Sequence, residues 1–366
     1  MRKTSVLFIG MHRFDRSPSQ RYRFEQYFEY LEANGVECEL SPLISEKDDK
    51  VLYSSGNYLG KLLIFLKSWR IRTRDVKRAN AFDYIFIQRE AFMTGTTWFE
   101  KRLAKSKAKL IFDFDDSIWL EDKNEANSKL AFLKRPSKTA DIIKLCDTIV
   151  AGNEYLAEYA RQYNENVVVI PTTIDTDWYL PKPKASNDKV IIGWSGSFST
   201  IKHFESAIEA LKEIKEKYGD RVGFKVIGDP GYQHEALGIA GQKWQSQTEV
   251  EDLQDIDIGI MPLPDTDWTR GKCGLKGLQY MGLAIPTIMS PVGANMQIIK
   301  HGVNGFLAST KEEWVDYLSQ LIESEELRKK LGEAGRKTVE EQFSVEANRS
   351  RYLKLFDSHN YSLSSN

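Results

Sequence analysis

Between positions 255 and 308 the chain sets glycines, a lysine and a helix start in an order suited to holding an anion. An apolar run at 256–261 gives way to a loop rich in Pro and Asp, then to Gly271-Lys272-Cys273-Gly274, then to Leu275, Leu278 and Met281 at helical spacing. Backbone amides, a flexible ammonium and the positive end of a helix dipole are thereby brought to the carboxyl end of a strand, and a di-anion is the expected guest. A second turn of the same kind follows the strand 190–194. There Ser195-Gly196-Ser197-Phe198-Ser199-Thr200 leads into Lys202, and glycine with small hydroxylated residues lets backbone amides face a phosphate. Lys202 falls in a first helical turn, where the dipole disfavours a lysine unless an anion is near. A third group is acidic: the strand 109–112 runs into Asp113, Asp115 and Asp116. Carboxylates this close repel, so at least one needs a raised pKa or a cationic partner. Their D-x-D spacing suits a divalent metal, and a strand-end carboxylate equally suits activating or orienting a hydroxyl.

The elements that must position these groups read as two α/β halves. Val6-Leu7-Phe8-Ile9 before Gly10 is a strand feeding a loop, and Phe24, Tyr27, Phe28 and Leu31 recur at helical spacing up to Asn34-Gly35. The loop and first helical turn expose Ser17, Ser19, Gln20, Arg21 and Arg23. Further strands lie at 84–87, ending in Gln88-Arg89-Glu90, and at 109–112, 148–151 and 167–170. The segment 181–188 is rich in proline and charge and free of large apolar residues, as an interdomain linker should be. The second half opens at 190–194, continues through a helix with Phe204, Ala207, Ile208, Leu211 and Ile214 on one face, and has strands at 224–228, 256–261 and 285–289. Charged amphipathic helices cover 312–331 and 332–356.

The order strand, loop, helix, strand, glycine turn, short helix and Asn304-Gly305-Phe306 strand resembles the donor half of retaining GT-B glycosyltransferases of the group 1 type. The similarity runs over nearly the whole chain and is strongest at 255–308. In that family the helix carries a Glu-x7-Glu motif; aligned on the trailing Met281 and Pro286, its two positions are Gly271 and Gln279, so this chain resembles a bacterial subgroup with a variant motif. The resemblance implies that Gln279 bonds a ribose hydroxyl, that Asp265, Asp267 or Lys272 works at the sugar or phosphates, and that Trp244 and Glu249 lie against the donor base. It also implies a Gly-Arg turn with a lysine five residues on; here Gly196 and Lys202 match and Ser197 replaces the arginine, with Lys272 compensating. In the first half Asp115 stands where the family has a histidine near the transferred sugar, and Asp116 keeps the acid. GT-B enzymes use helix dipoles and basic side chains where the other glycosyltransferase architecture uses D-x-D and a metal, so no metal and no permanent cofactor is expected.

Composition narrows the classes. With 366 residues, 41% hydrophobic and 28% charged, the chain is of ordinary globular composition and long enough for two domains. A net charge of −1 argues against a dedicated nucleic-acid binder. Cys38, Cys146 and Cys273 have neither metal-site spacing nor an even count, which suits a reducing cytoplasm. The first apolar run is too short for a signal peptide, and no stretch nears the roughly 20 apolar residues of a membrane span. Residues 58–78 hold seven basic side chains and one acid after Leu62, Leu63, Ile64, Phe65, Leu66 and Trp69. Such a helix either binds an anionic lipid surface or packs on the sheet with a solvated face.

The expected architecture is α/β of GT-B type: two Rossmann-like domains facing across a cleft, with a C-terminal helix returning to the first. The expected bounds are 1–178 for the acceptor-side domain, 179–188 for the linker, 189–342 for the donor domain, 343–359 for the returning helix and 360–366 for a polar tail. The expected activity moves a sugar from a nucleotide-diphosphate-sugar to a glycan or lipid-linked acceptor, with retention, in the cytoplasm or at the inner membrane face. Asp115, Asp116, Lys202 and Lys272 are the catalytic candidates. Gly196, Ser197, Trp244, Glu249, Asp267, Gly271, Gly274 and Gln279 join the two lysines at the donor, and Ser19, Arg21 and Arg23 face the acceptor. A nucleotide-sugar epimerase of the same architecture and a catalytically silent nucleotide-sugar-binding subunit are the alternatives.

Overall fold

The computed structural model describes residues 2–54, 56–120, 135, 137–183 and 189–357. Positions 184–188 of the expected linker and the tail 360–366 lie outside the described residues. The chain divides into two compact units, one of Met1–Pro171 with Arg349–Asn366 and the other of Thr172–Asn348.

The first unit is built on six parallel strands: β1 (Thr4–His12), β2 (Val36–Ile44), β3 (Tyr84–Gln88), β4 (Lys109–Phe114), β5 (Thr148–Ala151) and β6 (Val167–Val169), in the order β2-β1-β3-β4-β5-β6. Val6, Leu7, Phe8 and Ile9 are fully buried, as are Ile85, Phe86 and Ile87. Near-continuous apolar runs of this kind are what a parallel strand covered on both faces requires. The order reverses between β1 and β3, so their carboxyl ends open a crevice, the usual ligand position of an open α/β sheet. Residues from Arg349 onward complete this unit: the Tyr352 ring stacks on Tyr27 with centroids 3.9 Å apart, and Phe356 sits edge-on to Tyr84 at 5.6 Å.

The helix Tyr58–Arg78 forms over the range its periodicity predicts. Ile64, Ser68, Arg72 and Asp75 are its buried residues, whereas Leu59, Leu62, Leu63 and Leu66 are each more than half exposed. Arg72, counted among its seven basic side chains, does not face solvent. Its guanidinium donates to Gly10 O at 2.8 Å, Ala91 O at 2.6 Å and Asp75 at 2.9 Å, tying the helix to the carboxyl end of β1 and to the loop that follows β3. Among the described residues no helix is long and apolar enough to cross a membrane.

The second unit carries a five-stranded parallel sheet of β7 (Val190–Ser195), β8 (Val222–Ile227), β11 (Ile258–Met261), β12 (Thr287–Met289) and β13 (Phe306–Leu307), in the order β13-β12-β11-β7-β8. A small antiparallel pair, β9 (Gln233–His234) with β10 (Ile239–Ala240), lies outside it. Here the order reverses between β7 and β11, which puts the loops 196–200 and 262–274 at the second crevice. Residues 172–180 belong to this unit, although the sequence pattern assigns them up to 178 to the first. Tyr179 is the reason: it is buried and its hydroxyl bonds Glu249, while Arg336 donates to the carbonyls of Thr176 and Tyr179.

Candidate functional site

In the second unit the turn after β7 is drawn tight by backbone contact. Gly196 N donates to Ile227 O at 2.8 Å, and Gly228, at φ 130°, passes so close that a Cβ on it would lie 1.5 Å from Gly196 O. A Cβ on Gly196 would meet the Trp194 ring at 2.3 Å and Lys276 Nζ at 2.8 Å. Only glycine leaves room at either position. Ser197 closes the turn through Thr200, whose Oγ1 accepts from Ser197 N at 3.0 Å. Ser195 N donates to the Tyr280 hydroxyl at 2.7 Å, which anchors the turn to the helix Leu275–Gly282.

That helix starts at Gly274, held at φ 72°, a conformation that an L side chain adopts with strain. The N-cap gives no side-chain hydrogen bond to the first turn. Lys272 precedes it, half-buried, with Nζ 5.2 Å from the centroid of the Trp268 ring. Lys276, its second residue, holds Nζ 4.4 Å from the centroid of Trp194 and 3.4 Å from Thr200 Oγ1. Lys202 is exposed on the short helix Ile201–Glu205. Lys276, Lys272 and Lys202 all act on His203, which burial first and then these three cations hold down to about pKa 4. Lys202, Lys272 and Lys276 thus lie around His203, and Lys276 joins the helix that starts at Gly274 to the turn of Gly196 and Ser197. Lys276 and His203 are the residues that sequence reasoning missed. The signal was there for Lys276, since a lysine in a first helical turn invites the argument made for Lys202.

Trp244, Glu249 and Gln279 meet in a separate buried network. Glu249 Oε1 accepts from Trp244 Nε1 at 2.9 Å and from Gln279 Nε2 at 3.0 Å; its Oε2 accepts from the Tyr179 hydroxyl at 3.0 Å, and Gln279 Nε2 also donates to that hydroxyl at 2.8 Å. Asp265 and Asp267 are exposed and both pair with Arg270, at 2.7 and 3.2 Å.

In the first unit the acidic strand end resolves into three carboxylates with different surroundings. Asp113 is fully buried and paired with Arg23, which also donates to Ile170 O at 2.6 Å. Arg23, expected on an exposed first turn facing the acceptor, is instead a core residue with no exposed surface, because its guanidinium pairs with the buried Asp113. Gln20 is likewise buried, bridging His12 N and His12 O. Arg21 pairs with Asp15 at 2.7 Å. Asp115 accepts from Ser19 Oγ at 2.8 Å and from Arg89 Nε at 2.7 Å, and Gln88 Nε2 donates to Ser19 Oγ at 2.6 Å. Asp116 lies 3.8 Å from Arg89 Nη2 and caps Ser117 N at 3.1 Å. Burial pushes the Asp115 carboxyl up, but the Arg89 guanidinium outweighs it, and the net pKa lies below the usual carboxylate value. Among the described residues no group of three or more His, Cys, Asp or Glu side chains is placed to hold a metal ion.

Residues 177–338 match the family described as Glycosyl transferases group 1. N-acetyl-alpha-D-glucosaminyl L-malate synthase of Bacillus anthracis is 34% identical over 85 residues, which span 23% of this chain and 22% of that protein. Among solved structures, sucrose-phosphate synthase from Thermosynechococcus elongatus superposes with a TM-score of 0.71 at 14% identity, over 97% of this chain and 98% of that one. Anabaena HepE, solved in complex with UDP and glucose, gives 0.64 at 14% identity over 96% and 99%. The two parallel sheets with their helices are therefore of the GT-B fold over nearly the whole chain.

Proposed function

We propose, from the premise that residues 177–338 are a group 1 glycosyl transferase domain on a GT-B fold, that this protein transfers a sugar from a nucleoside-diphosphate-sugar to a glycan or lipid-linked acceptor with retention of configuration. One observation carries the reading: Lys202, Lys272 and Lys276 converge near His203 at the reversal of the second sheet. A leaving diphosphate gains charge as the glycosidic bond breaks, and cations already in place there stabilise that charge more than they stabilise the bound donor. Each such contact, when desolvated, contributes about 1.5–3 kcal/mol. On this reading the nucleoside lies against the half-buried Trp244, which Glu249 holds through Nε1. In the first unit Asp115, kept charged by Arg89, accepts from the acceptor hydroxyl and orients it, with Ser19 and Arg21 beside it and Asp116 steadying Arg89.

The test is a thermal-shift screen with UDP-, GDP-, ADP- and dTDP-sugars, where a ligand at 100 times its Kd adds about 2.7 kcal/mol. One donor is expected to raise Tm and to release its nucleoside diphosphate on addition of a saccharide or lipid-linked acceptor, with the anomeric configuration read by NMR. Consumption of the donor with no acceptor would favour an epimerase; binding with neither transfer nor slow hydrolysis would favour a silent binding subunit.

The same reading places the protein at an anionic membrane surface. Leu59, Leu62, Leu63 and Leu66 form an exposed apolar stripe on the helix Tyr58–Arg78, continued by exposed Arg70, Arg74 and Lys77. Leucines for the acyl boundary and cations for acidic headgroups are the two components of interfacial binding.

A further inference from the structure

Lys276 occupies a position that costs stability in three ways. It lies in the first turn of the helix Leu275–Gly282, where the dipole repels a cation. Its side chain is half-buried with the ammonium over the Trp194 ring, and Lys272 repels it. Among the described residues no carboxylate compensates: the one hydrogen bond at Nζ goes to the neutral Thr200 Oγ1 at 3.4 Å. Among the described residues the ionisable groups around it are Lys272 from the preceding loop, His203 from the helix Ile201–Glu205, on which Lys202 also acts, and Tyr280 one turn on, whose phenol burial pushes up to about 12. None is an anion near neutral pH. The Nζ stands against Gly196, at 2.8 Å from where a Cβ would be, so it borders the glycine turn.

Resting on the donor-site reading above, we propose that Lys276 binds the donor diphosphate at Gly196 and takes up a proton as the diphosphate arrives. Burial first, and then Lys272, lower its pKa to about 7, so above that pH the empty site holds it mostly neutral. An anion reverses both effects, by opposite charge and by accepting from the ammonium, and the pKa returns toward its ordinary value. Affinity for the diphosphate therefore declines as pH rises above about 7, and the complex holds one more proton than its separate parts.

The experiment is calorimetric titration of the full chain with UDP, GDP, ADP and inorganic pyrophosphate, in two buffers of different ionisation enthalpy, at about pH 8 and about pH 6. Wild-type protein is expected to take up close to one proton per nucleoside diphosphate at the higher pH and much less at the lower. Lys276→Met should bind about 10- to 100-fold more weakly and lose the uptake, while its Tm equals or exceeds that of wild type. Lys276→Arg should bind without uptake, because a guanidinium is already charged. Uptake that persists in Lys276→Met, or wild-type affinity in that variant, overturns the inference and leaves the donor site standing. Wild-type protein that binds none of the four probes overturns the donor site as well. Should Lys276→Met fail to fold, wild-type uptake near zero at about pH 8 is the decisive negative result.

Discussion

Arg89 reaches Asp115 through Nε at 2.7 Å from a backbone turned to φ 61°, in the left-handed region that a residue with a side chain enters at a cost. That cost is about 1–2 kcal/mol. It is offset by Arg89 N donating to Asp113 O at 2.8 Å and by the guanidinium's pairing with Asp115. Strain retained at the carboxyl end of a strand is characteristic of a functional site. Its effect here is to keep Asp115 charged and aimed, with Ser19 as a second donor.

Asp115→Asn keeps the volume and removes the charge that Arg89 and Ser19 hold. Transfer should fall about 100-fold, as loss of an orienting or proton-accepting group does, with donor Kd unchanged. A folded variant with near wild-type kcat would remove Asp115 from the reaction.

Lys272→Ala should lower turnover by about a hundredfold, the usual effect of losing one preorganised charge at a leaving group. Single-turnover rates at saturating donor separate this from weaker binding; an effect confined to KM would show that Lys272 only binds.

Arg23→Met leaves the Asp113 carboxylate buried with no guanidinium, and breaking such a pair costs about 3–5 kcal/mol. Urea midpoints should drop accordingly, and Arg23→Met combined with Asp113→Leu should recover part of the loss. A single variant as stable as wild type would contradict a structural role for Arg23.

Burial raises the Glu25 pKa from 4.5 to about 7, outweighing the hydrogen bonds from Asp15 N and Gln20 Nε2. The folded chain then holds a proton there that the unfolded chain has lost between pH 4.5 and 7. Stability from this group is fully present at the acid end of that window and is lost, by up to about 3 kcal/mol, as pH rises through it. His12 opposes it: burial first, then Arg16, lower its pKa from 6.5 to about 4, so its contribution is lost as pH falls through that range. Glu25→Gln should therefore stabilise the protein more at pH 7 than at pH 5, measured by urea midpoint. Equal effects at both pH values would show that Glu25 titrates normally.

Leu62→Glu with Leu66→Glu should abolish cosedimentation with phosphatidylglycerol vesicles without changing Tm, since both side chains face solvent. Neutral phosphatidylcholine vesicles should bind wild-type protein weakly, because Arg70, Arg74 and Lys77 gain nothing from them. Wild-type binding that ignores lipid charge, or no vesicle binding at all, would count against the membrane reading.

Local pattern alone determined the elements and the class. Apolar runs at 6–9, 84–87, 110–112 and 190–194 specify strands covered on both faces, and glycine and lysine at 196–202 and 271–274 mark anion-holding turns, because backbone conformation and helix dipoles are properties of neighbouring residues. Which charges face a ligand was decided by tertiary structure. Arg23 reads as an exposed helical cation yet is paired with Asp113, 90 positions away in the chain, and Gln279 and Glu249 are joined through Tyr179 although 30 positions separate them. Lys276 shows by spacing only that it falls in a first helical turn, and it is the Trp194 ring and Lys272, brought beside it by the fold, that make it a cation short of an anion. Charges interact through space and burial is set by the whole fold, so their partners and protonation follow from packing that no local pattern encodes.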